Sequence, residues 1–279
     1  MFVSKIEKFF NENSDSWEVF KGIMCGNPQN LNGEELVRYM DRMIEYTFDI
    51  IETEVSPSSL SAPALLHYIN ELGVFARHNS QFLKFAAAHS MDAVPEMAAE
   101  FIRNFLEEGG NVEIPAHYEL YSSALLKDLD INIIGHYPIA CTSELVQIVD
   151  LLSRSHSPSI ICGAFYATEG VAIRETKLLR DITNAYAAIR GKTEANLPNL
   201  KFYYDLHLDH GVEQGHISGI ARFICKYERY GLKLPQICDG FLQGMQAMTM
   251  WWTSLQSVEN KIDKLQASEF KIPITTNQG

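Results

Sequence analysis

The sequence predicts an all-α protein, a bundle of seven to eight helices, on three observations. Apolar residues return at three- and four-residue steps through most of the chain, while the strict alternation of a strand is sparse. Proline and Ser/Asn signals open these periodic stretches, and glycines or serines close them. The segments between them are mostly about two to eight residues, the spacing of helix bundles. A chain of 279 residues with 46 % apolar and 21 % charged side chains can bury a full core. We expect one domain over residues 1–259 and a flexible tail over 260–279, where the periodicity is lost.

The elements follow in order. Leu36, Met40, Met43, Ile44, Phe48 and Ile51 form one apolar stripe, opened by Asn32-Gly33-Glu34-Glu35 and broken by Ser56-Pro57. A second helix starts after Ser61, with Pro63 in its first turn, and runs towards His89. Asp92 opens a third, which carries Met97, Phe101 and Phe105 and stops at Gly109-Gly110. A fourth spans about Pro115 to Leu129, a fifth follows Thr142-Ser143-Glu144, and a sixth runs from Pro158 towards Arg190. After a polar loop over 191–198, a long helix is expected from Asn199 to Tyr230 and a last one from Pro235 to about Glu259. The aromatic-rich stretch Met245–Trp252 reads as core packing, with a docking face as its alternative.

Charge excludes several function classes. Against 35 Asp+Glu stand only 23 Lys+Arg, a net −12, so no basic footprint for nucleic acid or an anionic membrane is available. No apolar run reaches the ~20 residues of a membrane span, and the first ten residues lack the core of a secretory signal. Cys25, Cys141, Cys162, Cys225 and Cys238 are scattered, without a Cys-x-x-Cys pair, and read as reduced cytoplasmic thiols. Neither a glycine-rich phosphate loop nor a Gly-x-Ser-x-Gly elbow occurs.

Polar groups on otherwise apolar helices remain. In Tyr203–His216, Asp209, Glu213 and His216 share one face of a continuous helix, Asp205 continues it and His210 flanks it. Carboxylates and imidazoles converging at such steps suit iron or manganese, and a solvated acidic face is the plainer alternative. In a second segment, Glu107-Glu108-Gly109-Gly110 precedes His117 in the first turn of the next helix. In a third, Glu169 is the one acid between Ile160 and Ile173; a buried acid there needs a partner, and an exposed bundle edge is the alternative.

As an ordered set, these three segments resemble the heme-oxygenase-like family of non-heme iron oxidases and oxygenases, relatives of thiaminase II and the pyrroloquinoline quinone-forming oxidase. The resemblance rests on an acid-acid-glycine run with a histidine ten residues on (Glu107, His117), a lone glutamate in Phe-Tyr-Ala-Thr-Glu169-Gly, and a late-helix motif. It covers roughly residues 60 to 230. The family's late motif is His-x-x-x-Asp-x-x-His, whereas this chain has Asp209-x-x-x-Glu213-x-x-His216 at that spacing. A second register places His210 last, with His207 in the acid position and Tyr203 leading, and a local bulge would turn His207 or His210 inward.

The resemblance implies a heme-oxygenase-like bundle holding one or two non-heme iron ions, with manganese as a substitute. The implied ligands are Glu107, His117, Glu169 and the late-helix donors among Asp209, His210, Glu213 and His216. Tyr118, Tyr166, Tyr203 and Phe165 stand close enough in sequence to line the pocket. The implied partners are dioxygen and a small-molecule substrate, in the cytoplasm, and assembly as a homodimer stays open. A metal-free enzyme pocket of the thiaminase II or cofactorless-oxidase kind and a non-catalytic helical interaction protein are the competing readings.

Overall fold

The computed structural model describes residues 32–110, 115–208 and 212–269. Among them are nine α-helices and no strand: α1 Gly33–Glu54, α2 Ala62–Ser90, α3 Pro95–Glu108, α4 His117–Leu129, α5 Ala140–Ser153, α6 Pro158–Ile189, α7 Pro198–Leu208, α8 Val212–Cys225 and α9 Leu234–Glu269. The helix α6 forms the axis, packing along α9, α2 and α8 and also touching α1, α5 and α7. One contiguous apolar core runs through the bundle, from Leu36 of α1 to Leu255 of α9.

Local chemistry explains most boundaries. Asn32 and Glu35 cap α1 reciprocally: Glu35 N–H donates to Asn32 Oδ1 at 3.0 Å and Asn32 N–H to Glu35 Oε2 at 3.1 Å. Ser61 Oγ accepts from Ala64 N–H at the start of α2. The six apolar residues of the α1 stripe are all buried. Helix α3 starts at Pro95 rather than Asp92, because proline at the first helical position is already set for the turn. Helix α5 starts at Ala140, before the Thr142 signal, and is anchored by Glu71 of α2, whose Oε2 accepts from Ile139 N–H at 3.3 Å.

Two expectations change. The long helix from Asn199 to Tyr230 is two helices, α7 and α8, with Pro198 opening the first. Helix α9 runs to Glu269, ten residues into the stretch expected as a tail, and Tyr68 of α2 donates to buried Glu259 at 2.6 Å. Residues 270–279 lie outside the described residues. Met245, Met248, Trp251 and Trp252 are buried, so the aromatic stretch is core, with Met250 on its outer side. No helix of the described residues is long and apolar enough to cross a membrane.

Candidate metal centre

Five helices deliver acids and imidazoles to one interior region between α3, α4, α6, α7 and α8. Glu107 and Glu108 end α3, His117 begins α4, Glu169 lies in mid-α6, His207 ends α7, and Glu213 and His216 stand in the first turns of α8. His216, fully buried, is the hub. Its Nδ1 is 3.2 Å from Glu169 Oε2 and 3.8 Å from Glu213 Oε2, and its Nε2 is 2.8 Å from Glu107 Oε2. One ligand atom each from Glu169, Glu213 and His216 fall within 4.8 Å of one another, a group that could hold a metal ion.

A second pair adjoins it. His117 Nδ1 lies 3.1 Å from Glu108 Oε1, and the His117 ring meets the His207 ring edge-on at 4.5 Å. His207 Nδ1 lies 2.6 Å from Glu213 Oε1, so Glu213 links the two histidines of α7 and α8 through its two oxygens. With Nδ1–H donating to Glu213, His207 Nε2 keeps a lone pair that is buried and finds no hydrogen-bond partner among the described residues.

The electrostatics are those of crowded acids. Burial pushes the Glu169 carboxyl up, and His216 only partly offsets this. Burial also works against a charged His216, but the Glu169 hydrogen bond and the charges of Glu169, Glu213 and Glu108 outweigh it and push its pKa up to about 10. Glu107 and Glu108 are held below the usual carboxylate range: burial opposes this, but His216 with Arg103 outweighs it at Glu107, and His117 does so at Glu108. For His117, burial lowers the pKa and Glu108 more than restores it. A cation among these acids would take the place of that proton-borne charge.

The donor set fits a hard or borderline ion. Two donors about 2.1 Å from an ion at right angles are roughly 3 Å apart, close to the 3.1 Å of Glu108–His117 and the 3.2 Å of Glu169–His216. Oxygen and imidazole donors without thiolate suit iron or manganese. The orphaned His207 nitrogen is the strongest sign of fit, because a buried imidazole lone pair without a donor is costly unless a cation accepts it.

A cavity of about 90 Å³ opens beside the cluster, lined by Glu108, His117, Glu169, His207 and Glu213 on one side. Tyr118, Phe165 and Tyr203 line it as well. Tyr166 does not: its hydroxyl donates to Asp41 of α1 at 2.5 Å, on another side of α6. Asp205 is turned away too, bonded to Lys201 at 2.7 Å. Asp209 and His210 lie outside the described residues.

One member of the cluster, Glu108, is not among the ligands expected from the sequence, and another, His207, is expected there only through the second register. Glu108 continues the buried stripe Met97, Phe101, Asn104 by one more four-residue step, whereas Glu107 stands a residue off that stripe, 40 % exposed beside Arg103. His207 is turned inward, as the alternative with a local departure from a continuous helix expects. Six residues along one α-helix separate two side chains by about 9 Å and 120°, yet His207 and Glu213 touch, so the register changes between α7 and α8. The effective late motif is His207, Glu213, His216, with two more residues between its first two members than the expected spacing.

The comparisons with known proteins agree with this architecture. The chain has a heme-oxygenase-like fold. A domain of unknown function with that fold from Shewanella denitrificans is 13 % identical, with a TM-score of 0.59, over 81 % of this chain and 93 % of that one. A CADD-like protein of unknown function from Nostoc punctiforme is similar in two crystal structures. One has a TM-score of 0.69 at 22 % identity over 81 % of this chain and 98 % of that one; the other has 0.65 at 20 % over 81 % and 95 %. Residues 46–258 match the family described as Domain of Unknown Function with solved-structure structure (DUF3865), and the chain belongs to that family. No curated protein matches the sequence.

Proposed function

We propose that this protein is a cytoplasmic non-heme iron oxidase or oxygenase that holds one or two iron ions and uses dioxygen to oxidise a small organic metabolite. The observation that carries this reading is the His207 Nε2 lone pair, buried without a partner inside a ring of Glu and His side chains beside a cavity. Glu169, Glu213 and His216, with His207 and with Glu108 and His117 beside them, would hold the metal. Glu107, a ligand that the resemblance implies, fits better as the outer carboxylate that takes the His216 Nε2–H and leaves Nδ1 facing Glu169. Iron there would supply the one-electron chemistry that dioxygen requires.

The chain's own part is to position and to exclude water. Glu213 fixes the His207 ring through Nδ1, and Glu107 fixes the His216 ring through Nε2. Phe165, Tyr203 and the apolar residues of α2 wall the cavity, so a bound substrate lies against the carboxylates with little bulk water. Anaerobic titration with Fe(II) followed by exposure to oxygen tests the reading. It predicts saturable iron uptake and a transient visible absorption, both lost in Glu169→Ala. A metal-free pocket draws on one observation, the bonding of His216 on both ring nitrogens; it predicts turnover that chelators leave untouched.

A further inference from the structure

The cavity also holds a carboxyl that the metal reading does not use. Glu175 of α6 is buried, lines the cavity and is held on one side only: Trp252 of α9 donates its indole N–H to Oε1 at 2.8 Å. It stands six residues beyond Glu169 on the same helix, so its backbone is about 9 Å further along the axis. It is not part of the group that could hold an ion. Phe75 and Phe82 of α2 and Leu179 of α6 give the same cavity apolar lining, with Asn79 and Thr176 as polar members.

Charge narrows what can sit there. Among the described residues lining the cavity there are four glutamates, Glu108, Glu169, Glu175 and Glu213, and no lysine or arginine. An anionic head group would find no lysine or arginine on this wall and would meet carboxylates. Burial pushes the Glu175 carboxyl up to about 7, against the Trp252 hydrogen bond and with the Glu213 charge adding to it. A carboxyl so deprived of water is completed by a ligand that brings its own charge and N–H donors.

We propose that Glu175 is the recognition carboxylate for a protonated amine, so that the cavity takes a small alkylammonium compound with its apolar part against Phe75, Phe82 and Leu179. Which end of that compound reacts rests on the metal-centre reading; the amine preference does not. Trp252 sets the rotamer of Glu175 and leaves Oε2 for the ligand.

The test uses n-pentylamine, 1-pentanol and pentanoate as probes, titrated calorimetrically into iron-loaded and chelator-treated protein. Wild type is expected to bind pentylamine at least tenfold more tightly than pentanol, with pentanoate weakest. Glu175→Gln keeps the volume and an acceptor for Trp252; it should weaken pentylamine by roughly 10–100-fold, the worth of a buried charged hydrogen bond, and leave pentanol unchanged. Retained pentanol binding reports an intact cavity, and Glu175→Asp should restore part of the amine preference. Equal affinity for the three probes, or pentylamine binding that Glu175→Gln does not alter, overturns the proposal. Metal analysis of the same samples separates the two readings. Amine selectivity without iron uptake sinks the oxidase alone, and iron uptake without amine selectivity sinks the amine site alone.

Discussion

His207 and Glu108 show how a single residue's phase decides a role. Glu108 stands one residue from Glu107, and of the two it is the less exposed one that lines the cavity; His207 lines it as well. If the cavity-lining acid is the ligand, Glu108→Gln should lower iron affinity more than Glu107→Gln, whose loss as an outer carboxylate is expected to be about 10–100-fold. Competition with a chromophoric chelator measures both, and an equal or reversed order would return Glu107 to the ligand set. Glu108 was not legible because the face read from the sequence is Met97, Phe101 and Phe105, whereas the buried face is Met97, Phe101 and Asn104, which Glu108 continues. An acid at a helix C-terminus is also opposed by the helix dipole, and such local conflicts mark sites.

Glu175 gives a second residue-scale prediction with a definite sign. Its folded pKa of about 7 lies above the usual 4.5. The folded state therefore holds a proton that the unfolded state has released between those values, and stability falls as pH rises through that window. Below pH 4.5 both states are protonated and the difference vanishes. Glu175→Gln removes this slope, so relative to wild type the variant should gain thermal stability on going from pH 5 to pH 8, in protein without ligand. A Tm difference that does not change with pH would place the carboxyl in an ordinary environment.

At the scale of elements, the bundle depends on close backbone crossings. A Cβ at Gly163 of α6 would lie 1.8 Å from Ile237 O of α9, and one at Gly240 of α9 would lie 2.1 Å from Ile160 O of α6. The two helices thus meet backbone to backbone, which fixes α6 and with it Glu169 and Glu175. Gly163→Ala should destabilise by about 1–3 kcal/mol or more, as overpacking does. Gly215→Ala in α8, where a Cβ meets nothing within 4 Å, should gain about 0.5–1 kcal/mol from helix propensity. Urea unfolding of the pair checks this, and comparable losses in both would mean that the α6–α9 contact is not special. Most helices were legible because caps and prolines sit at their starts. The α7–α8 interruption was not, since apolar periodicity continues through the segment and periodicity does not report a local change of register.

On the scale of the whole molecule, four carboxylates and three imidazoles from five helices face one another in the interior of an acidic protein. Their residue types were visible in the sequence, but which of them meet depends on helix crossings that no local pattern encodes. Such a cluster costs stability unless cations neutralise it. Quantitative metal analysis of protein reconstituted with Fe(II), beside its Glu213→Gln and His207→Gln variants, is the most direct measurement. The account predicts about one to two equivalents of iron in wild type and a marked loss in each variant. Wild type that takes up no iron, or variants that retain as much as it does, would contradict it.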